Sequence, residues 1–135
     1  LNFKFTDLQA SLGISQMTTL NKRIKLKKSI HQNYKKISNP TYKIGEFEDF
    51  EVPWFFDITS DTKRNNIKLS KELSKYNIET RNSYPALSKQ KYLRELDSTD
   101  LSFSESIYSK VLWLPSSSNL SKSDQLKIIE IINEC

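Results

Sequence analysis

Residues 50–58, FEVPWFFDI, alternate strictly. Phe50, Val52, Trp54, Phe56 and Ile58 share one parity; Glu51, Pro53, Phe55 and Asp57 share the other. Successive side chains of a strand point to opposite faces, so the pattern predicts a strand with one buried side. Pro53 cannot donate to a ladder, which puts that strand at an edge or a bulge. Two further short strands are predicted: residues 78–81, Ile-Glu-Thr-Arg, and the apolar run 111–114, Val-Leu-Trp-Leu, stopped by Pro115.

Helix signals separate these strands. Thr6 precedes Asp7-Leu8-Gln9, a capping box with an acid in the first turn. Leu8 and Leu12 follow on one face, and Gly13 suits close packing against a neighbouring backbone. A long helix is predicted over 18–37, where Leu20, Ile24, Ile30, Tyr34 and Ile37 form a stripe that most lysines avoid. Pro40 ends it, and residues 38–47 read as a linker or hinge. Asp61 or Thr62 caps a helix running to Tyr76. Asn77 stands where a left-handed residue closes a helix. Residues 82–101 read as loop. Ser102 or Ser104 caps a short helix through Tyr108 and Lys110. Ser121 or Ser123 caps the last one, which carries Leu126, Ile128, Ile129, Ile131 and Ile132. Three short strands among five helices predict an α/β or α+β layer.

Composition narrows the function classes. At 135 residues the chain is long enough for one domain with a real core, and 11% aromatic content argues against disorder. With only Gly13 and Gly45, a glycine-rich phosphate loop is excluded. Cys135 is the single cysteine, which rules out an internal disulfide and fits a reducing compartment. No apolar run approaches a membrane span, so a soluble, cytoplasmic protein is expected. The net charge of +5 is uneven: residues 1–44 hold nine Lys and Arg against Asp7 alone. Such asymmetry points to an anionic contact or to an acidic complement elsewhere.

Catalytic machinery is thin. His31, the one histidine, is expected on the surface of a lysine-rich helix, solvated or partly packed. One Cys and one His make no zinc site, so no metal is expected. Glu46, Glu48, Asp49 and Glu51 read as a solvated acidic patch. The lysines of residues 18–37 read as a solvated helix face, with phosphate-backbone binding as the functional alternative. Two stretches stand out. Asn2-Phe3-Lys4 places an amide and a cation just before a helix start, a setting that suits an anion. Glu79-Thr80-Arg81-Asn82-Ser83-Tyr84-Pro85 places Arg81 and Tyr84 at a strand end, where binding groups often project.

Three stretches, in order, resemble the C-terminal part of DegT/StrS-type sugar aminotransferases, and the perosamine-synthetase-like subgroup in particular. They are Asn2-Phe3-Lys4-Phe5-Thr6-Asp7-Leu8-Gln9-Ala10-Ser11-Leu12-Gly13 with Gln16; Asn77-Ile78-Glu79-Thr80-Arg81 with Tyr84-Pro85; and Val111-Leu112-Trp113-Leu114-Pro115 followed by residues 121–132. The resemblance implies the aspartate-aminotransferase fold of fold-type I pyridoxal phosphate (PLP) enzymes. Here that means a long connecting helix plus a small, mainly antiparallel sheet flanked by helices. Residues 1–44 would be the end of the large domain and the connecting helix, and 45–135 the C-terminal small domain.

The resemblance also implies function. The reaction would move an amino group, from glutamate, onto a nucleotide-linked keto sugar, with PLP as cofactor, in a cytoplasmic homodimer serving cell-surface polysaccharide or related amino-sugar synthesis. Asn2 would reach the PLP phosphate of the partner subunit. Lys4, Arg81 and Tyr84 would meet the sugar nucleotide. No catalytic residue would lie in this chain, because the lysine that bonds PLP belongs to a preceding part of the family's length. Three positions depart from the family pattern: Lys4 replaces an arginine, Asn77 a glycine, and Ala86-Leu87 follow Tyr84-Pro85 where a histidine is common. Lysine keeps the charge but not the bidentate fork. Apart from the resemblance, the reading left is a stand-alone basic module contacting nucleic acid or an acidic protein through helix 18–37.

Overall fold

Thr6 starts the first helix as its capping box requires. In the computed structural model, which describes residues 4–91 and 100–135, Gln9 N–H donates to Thr6 Oγ1 at 3.3 Å and Thr6 N–H donates to Gln9 Oε1 at 2.9 Å. This helix, α1 (Asp7–Met17), buries none of its residues; Phe5, Leu8, Leu12, Ile14 and Met17 are all exposed. Gly13 has open space where a side chain would stand, so it marks no close approach.

The predicted long helix is shorter. It runs as α2 (Leu20–Tyr34), and only its second half enters the core, through Ile30, His31 and Tyr34. The segment expected as a linker holds a strand instead, β1 (Tyr42–Ile44). It is followed by β2 (Phe56–Ser60), α3 (Lys63–Lys75), β3 (Arg81–Asn82), a 3-10 turn at Leu87–Lys89, α4 (Ser102–Ile107), a 3-10 turn at Tyr108–Lys110, β4 (Val111–Leu114) and α5 (Lys122–Glu134). The four strands form one antiparallel sheet in the order β1-β2-β4-β3. The mixed architecture of helices with a small antiparallel sheet is the one the family resemblance implied.

The core lies on one face of that sheet. Phe56, Ile58, Leu112 and Leu114 point into it and meet Leu69 and Leu73 of α3 and Ile128, Ile129, Ile131 and Ile132 of α5. Tyr34 and Ile30 close it from α2. Burying such side chains stabilises by about 1.5–3 kcal/mol each.

The alternation at 50–58 keeps its phase only where it becomes β2. Phe56 and Ile58 are fully buried, whereas Phe50, Val52 and Trp54 are 85%, 47% and 77% exposed. Pro53 has no N–H for a ladder. The carbonyl oxygens of Asp49 and Trp54 are taken by Lys28 and Lys27 of α2, so this stretch straps onto the helix instead of extending the strand.

The end of α3 is a Schellman motif. Asn77 adopts φ +59°, its N–H donates to Ser74 O at 3.0 Å, and the Ile78 N–H donates to Leu73 O at 3.1 Å. Those bonds keep Ile78 out of the sheet. The strand expected at 78–81 is therefore reduced to Arg81–Asn82. Thr62 caps α3 and Ser121 caps α5, each accepting from a backbone N–H three residues on. Neither Ser102 nor Ser104 caps α4; the Asp100 carboxylate accepts the Ser102 N–H instead.

His31 is not on the surface. It is 5% exposed, its Nε2–H donates to Gly45 O at 2.8 Å, and its ring lies between Phe47 and Phe56. It docks α2 onto the β1–β2 connection. No described helix is long and apolar enough to cross a membrane.

Candidate functional site

Parity in β4 decides what faces away from the core. Leu112 and Leu114 are buried, so Trp113 sits on the opposite face of the sheet. Its register partners are Asp57 on β2 and Arg81 on β3. Phe55 stacks on its ring at 4.1 Å and 4° between planes, and Tyr84 meets it edge-on at 5.0 Å and 84°. Partial burial raises the Asp57 carboxyl above its ordinary range, while a hydrogen bond from the Trp113 side chain acts in the opposite direction.

A cleft of about 610 Å³ opens beside Trp113, between the end of α3, residues 77–81, the exit of β4 and the first turns of α5. Phe55, Tyr76 and Trp113 supply aromatic wall, and Arg81 and Lys127 supply positive charge. The left-handed Asn77 turns the chain from α3 into the wall that ends at Arg81. Thr80 is anchored there by a 2.8 Å hydrogen bond with Ser70. The Arg81 guanidinium makes no hydrogen bond or ion pair among the described residues, which leaves its five donors for a ligand. Lys127 Nζ lies 5.5 Å from the centre of the Tyr76 ring, a cation–π contact. Glu79 and Asp124 balance the two cations, so the lining is amphiphilic with no large net charge.

The structure brings Arg81 and Tyr84 to one residue, Trp113: Arg81 is its register partner on β3, and Tyr84 meets its ring edge-on. Arg81 lines the cleft; Tyr84, 69% exposed, is not among the lining residues and meets the cleft wall through the Trp113 ring. Lys4 is exposed ahead of α1 and does not line the cleft. Asn2 lies outside the described residues. Trp113, Phe55 and Lys127 were not picked out as site residues from sequence. The available signal was the single aromatic between two aliphatic residues in a four-residue strand, whose side must differ from theirs.

The basic face of α2 does intramolecular work. Lys27 donates to the carbonyl oxygens of Trp54 and Ser116, Lys28 to that of Asp49, and Lys36 to Asn33 Oδ1. Lys35 pairs with Glu46 at 2.7 Å, and that contact holds the Glu46 carboxyl below the usual carboxylate range. Glu51 accepts the Glu48 N–H, so part of the acidic patch is a self-contained turn. Among the described residues, no cluster of three His, Cys, Asp or Glu could hold a metal ion.

Helices on one face of a small antiparallel sheet, with a charged aromatic cleft at its edge, define a mixed α/β ligand-facing lobe. Residues 1–133 match the DegT/DnrJ/EryC1/StrS aminotransferase family, and the chain belongs to that family. It is 23% identical over 145 residues to EpsN of Bacillus subtilis (strain 168), named as a pyridoxal phosphate-dependent aminotransferase; the match covers 97% of this chain and 36% of EpsN. A DegT DnrJ EryC1 StrS aminotransferase from Brucella abortus shares the fold at a TM-score of 0.81 and 24% identity, over 93% of this chain and 34% of that one. Helicobacter pylori PseC, an aminotransferase involved in the biosynthesis of pseudoaminic acid, does so at 0.84 and 20% identity, over 99% and 38%. The chain thus spans about a third of the length of these relatives.

Proposed function

We propose that this chain is the C-terminal portion of a PLP-dependent aminotransferase acting on a nucleotide-linked keto sugar, with glutamate as amino donor. Family membership over residues 1–133 carries the reading. The described residues do not themselves build a seat for PLP. Lys27, whose ammonium burial makes easier to deprotonate, is committed to two main-chain carbonyl oxygens and is not a free amine. The lysine that bonds the cofactor belongs, in this reading, to a preceding part of the polypeptide. When bound, PLP supplies the electron sink for amino transfer.

What this chain contributes is binding and shape. Arg81 and Tyr84 face the sugar nucleotide. Lys4 adds a cation near its phosphates, and Asn2 reaches the PLP phosphate of the partner subunit. Residues 1–44 form the end of the large domain and the connecting helix, and 45–135 the small domain. The exposed apolar side chains of α1 support a homodimer and a large domain that cover them, because contiguous exposed apolar surface marks an interaction site. The enzyme works in the cytoplasm, in amino-sugar synthesis for surface polysaccharide or related products.

The test uses the polypeptide as its source makes it. PLP absorbance, together with glutamate-dependent amination of UDP-, dTDP- or GDP-linked keto sugars, is the expected result. A protein that binds no PLP under saturating cofactor would sink the reading.

A further inference from the structure

We propose that Trp113 is the positioning residue of the cleft, setting Arg81 and Tyr84 against the sugar nucleotide. The inference rests on the function proposed above, and it concerns a residue of the cleft wall that pairs with Arg81 through the β3–β4 ladder and meets the Tyr84 ring.

Two rings pack on the Trp113 indole, and two ladder partners flank its backbone. Phe55 lies flat on the indole at 4.1 Å and Tyr84 abuts it at 5.0 Å, while Asp57 and Arg81 are the residue's register partners across the β2–β4 and β3–β4 ladders. The anchoring on one side is firm, since β2 and β4 are the two central strands. On the other side it is sparse. β3 is two residues long, and beyond it Ser83 adds one backbone hydrogen bond to Val111 O at 3.3 Å. Tyr84 is mostly exposed and, among the described residues, its one aromatic ring contact is with Trp113. Trp113 thus carries order from the rigid centre of the sheet to two sparsely held groups, Tyr84 through its ring and Arg81 through the ladder. Trp113 also faces away from the core, which is complete through Leu112 and Leu114 without it.

The experiment compares Trp113→Ala and Trp113→Phe in the full-length enzyme, measuring KM for the keto-sugar nucleotide and for the amino donor separately, with PLP occupancy and Tm alongside. Trp113→Ala should raise the sugar KM about tenfold, the order expected for losing one aromatic contact and loosening two binding groups. Donor KM and PLP occupancy should stay within about twofold. Trp113→Phe keeps a flat ring between Phe55 and Tyr84 and should recover most of the sugar KM. A second readout needs no turnover. Equilibrium binding of the same nucleotide sugar to the full-length enzyme, followed by calorimetry, should weaken about tenfold in Trp113→Ala and be largely restored in Trp113→Phe. A sugar KM unchanged in Trp113→Ala overturns the proposal. So does an equal rise in both KM values with a fall in Tm, which marks a purely structural role. A wild-type enzyme that binds PLP but aminates no sugar nucleotide, or one that binds no PLP, overturns the functional reading first and this inference with it.

Discussion

Tyr34, fully buried on α2, donates its hydroxyl to the carbonyl oxygen of Pro115 at 2.8 Å, across 81 residues of sequence. The bond ties the end of α2 to the exit of β4, where the cleft begins. Tyr34→Phe keeps the ring against Phe56 and leaves the carbonyl without its donor. The expected cost is about 1–2 kcal/mol, read as a lower urea midpoint at unchanged slope. An unchanged midpoint would mean that water replaces the hydroxyl.

The same phenol gives a pH signature. Burial raises the Tyr34 pKa well above its ordinary value of 10.0. Its folded-state pKa therefore exceeds the unfolded one, and the folded state binds more protons at alkaline pH. Stability from this group is whole below pH 10 and declines above it, by at most about 1.4 kcal/mol per pH unit. Tyr42 is raised too, by burial and then by the charge of Cys135, but it is common to both proteins in a comparison. The difference in stability between wild type and Tyr34→Phe should accordingly shrink as pH rises past 10. A constant difference from neutral pH upward would contradict the assignment.

Lys27→Met separates the two readings of the basic helix. Methionine keeps an apolar stem near the Phe56 ring but removes the donor to Trp54 and Ser116. A structural strap predicts a loss of about 1–3 kcal/mol that salt changes little. A phosphate-binding face predicts unchanged stability and weaker, salt-dependent binding to RNA or DNA.

Asn77 tests the turn into the cleft. At φ +59°, a side chain without Asn's local hydrogen bonding is penalised, and glycine is not. Asn77→Ala should cost about 1 kcal/mol, while Asn77→Gly should be neutral or gain a few tenths. Equal effects of the two on Tm would mean that the left-handed turn is not what holds this end of α3.

Where residues signal locally, sequence predicted structure well. Thr6 and Gln9, Thr62, Asn77 and Ser121 each sit where their short-range hydrogen bonds require, and β4 occupies the predicted residues 111–114. The failures are tertiary. Alternation at 50–58 fixes parity but cannot reveal that Lys27 and Lys28 remove two carbonyl groups from any ladder. β1 was hidden because three residues beside Pro40 carry too little pattern, and it exists through its pairing with β2. His31 looked solvated among lysines because its partners, Gly45, Phe47 and Phe56, are remote in sequence. Arg81 in the cleft and Tyr84 against Trp113 were legible as projecting groups. Lys127 was not, since only packing brings α5 to the same wall.

Both borders of the sheet are minimal: β1 has three residues and β3 has two. A long bare border is a template on which a second molecule can add strands and start a fibril. This lobe carries abundant uncovered apolar side chains on α1 and around Trp54, so chance encounters between copies are to be expected whenever its cover is missing. With so little border to copy, such encounters should end in loose helix-mediated association and not in cross-β growth.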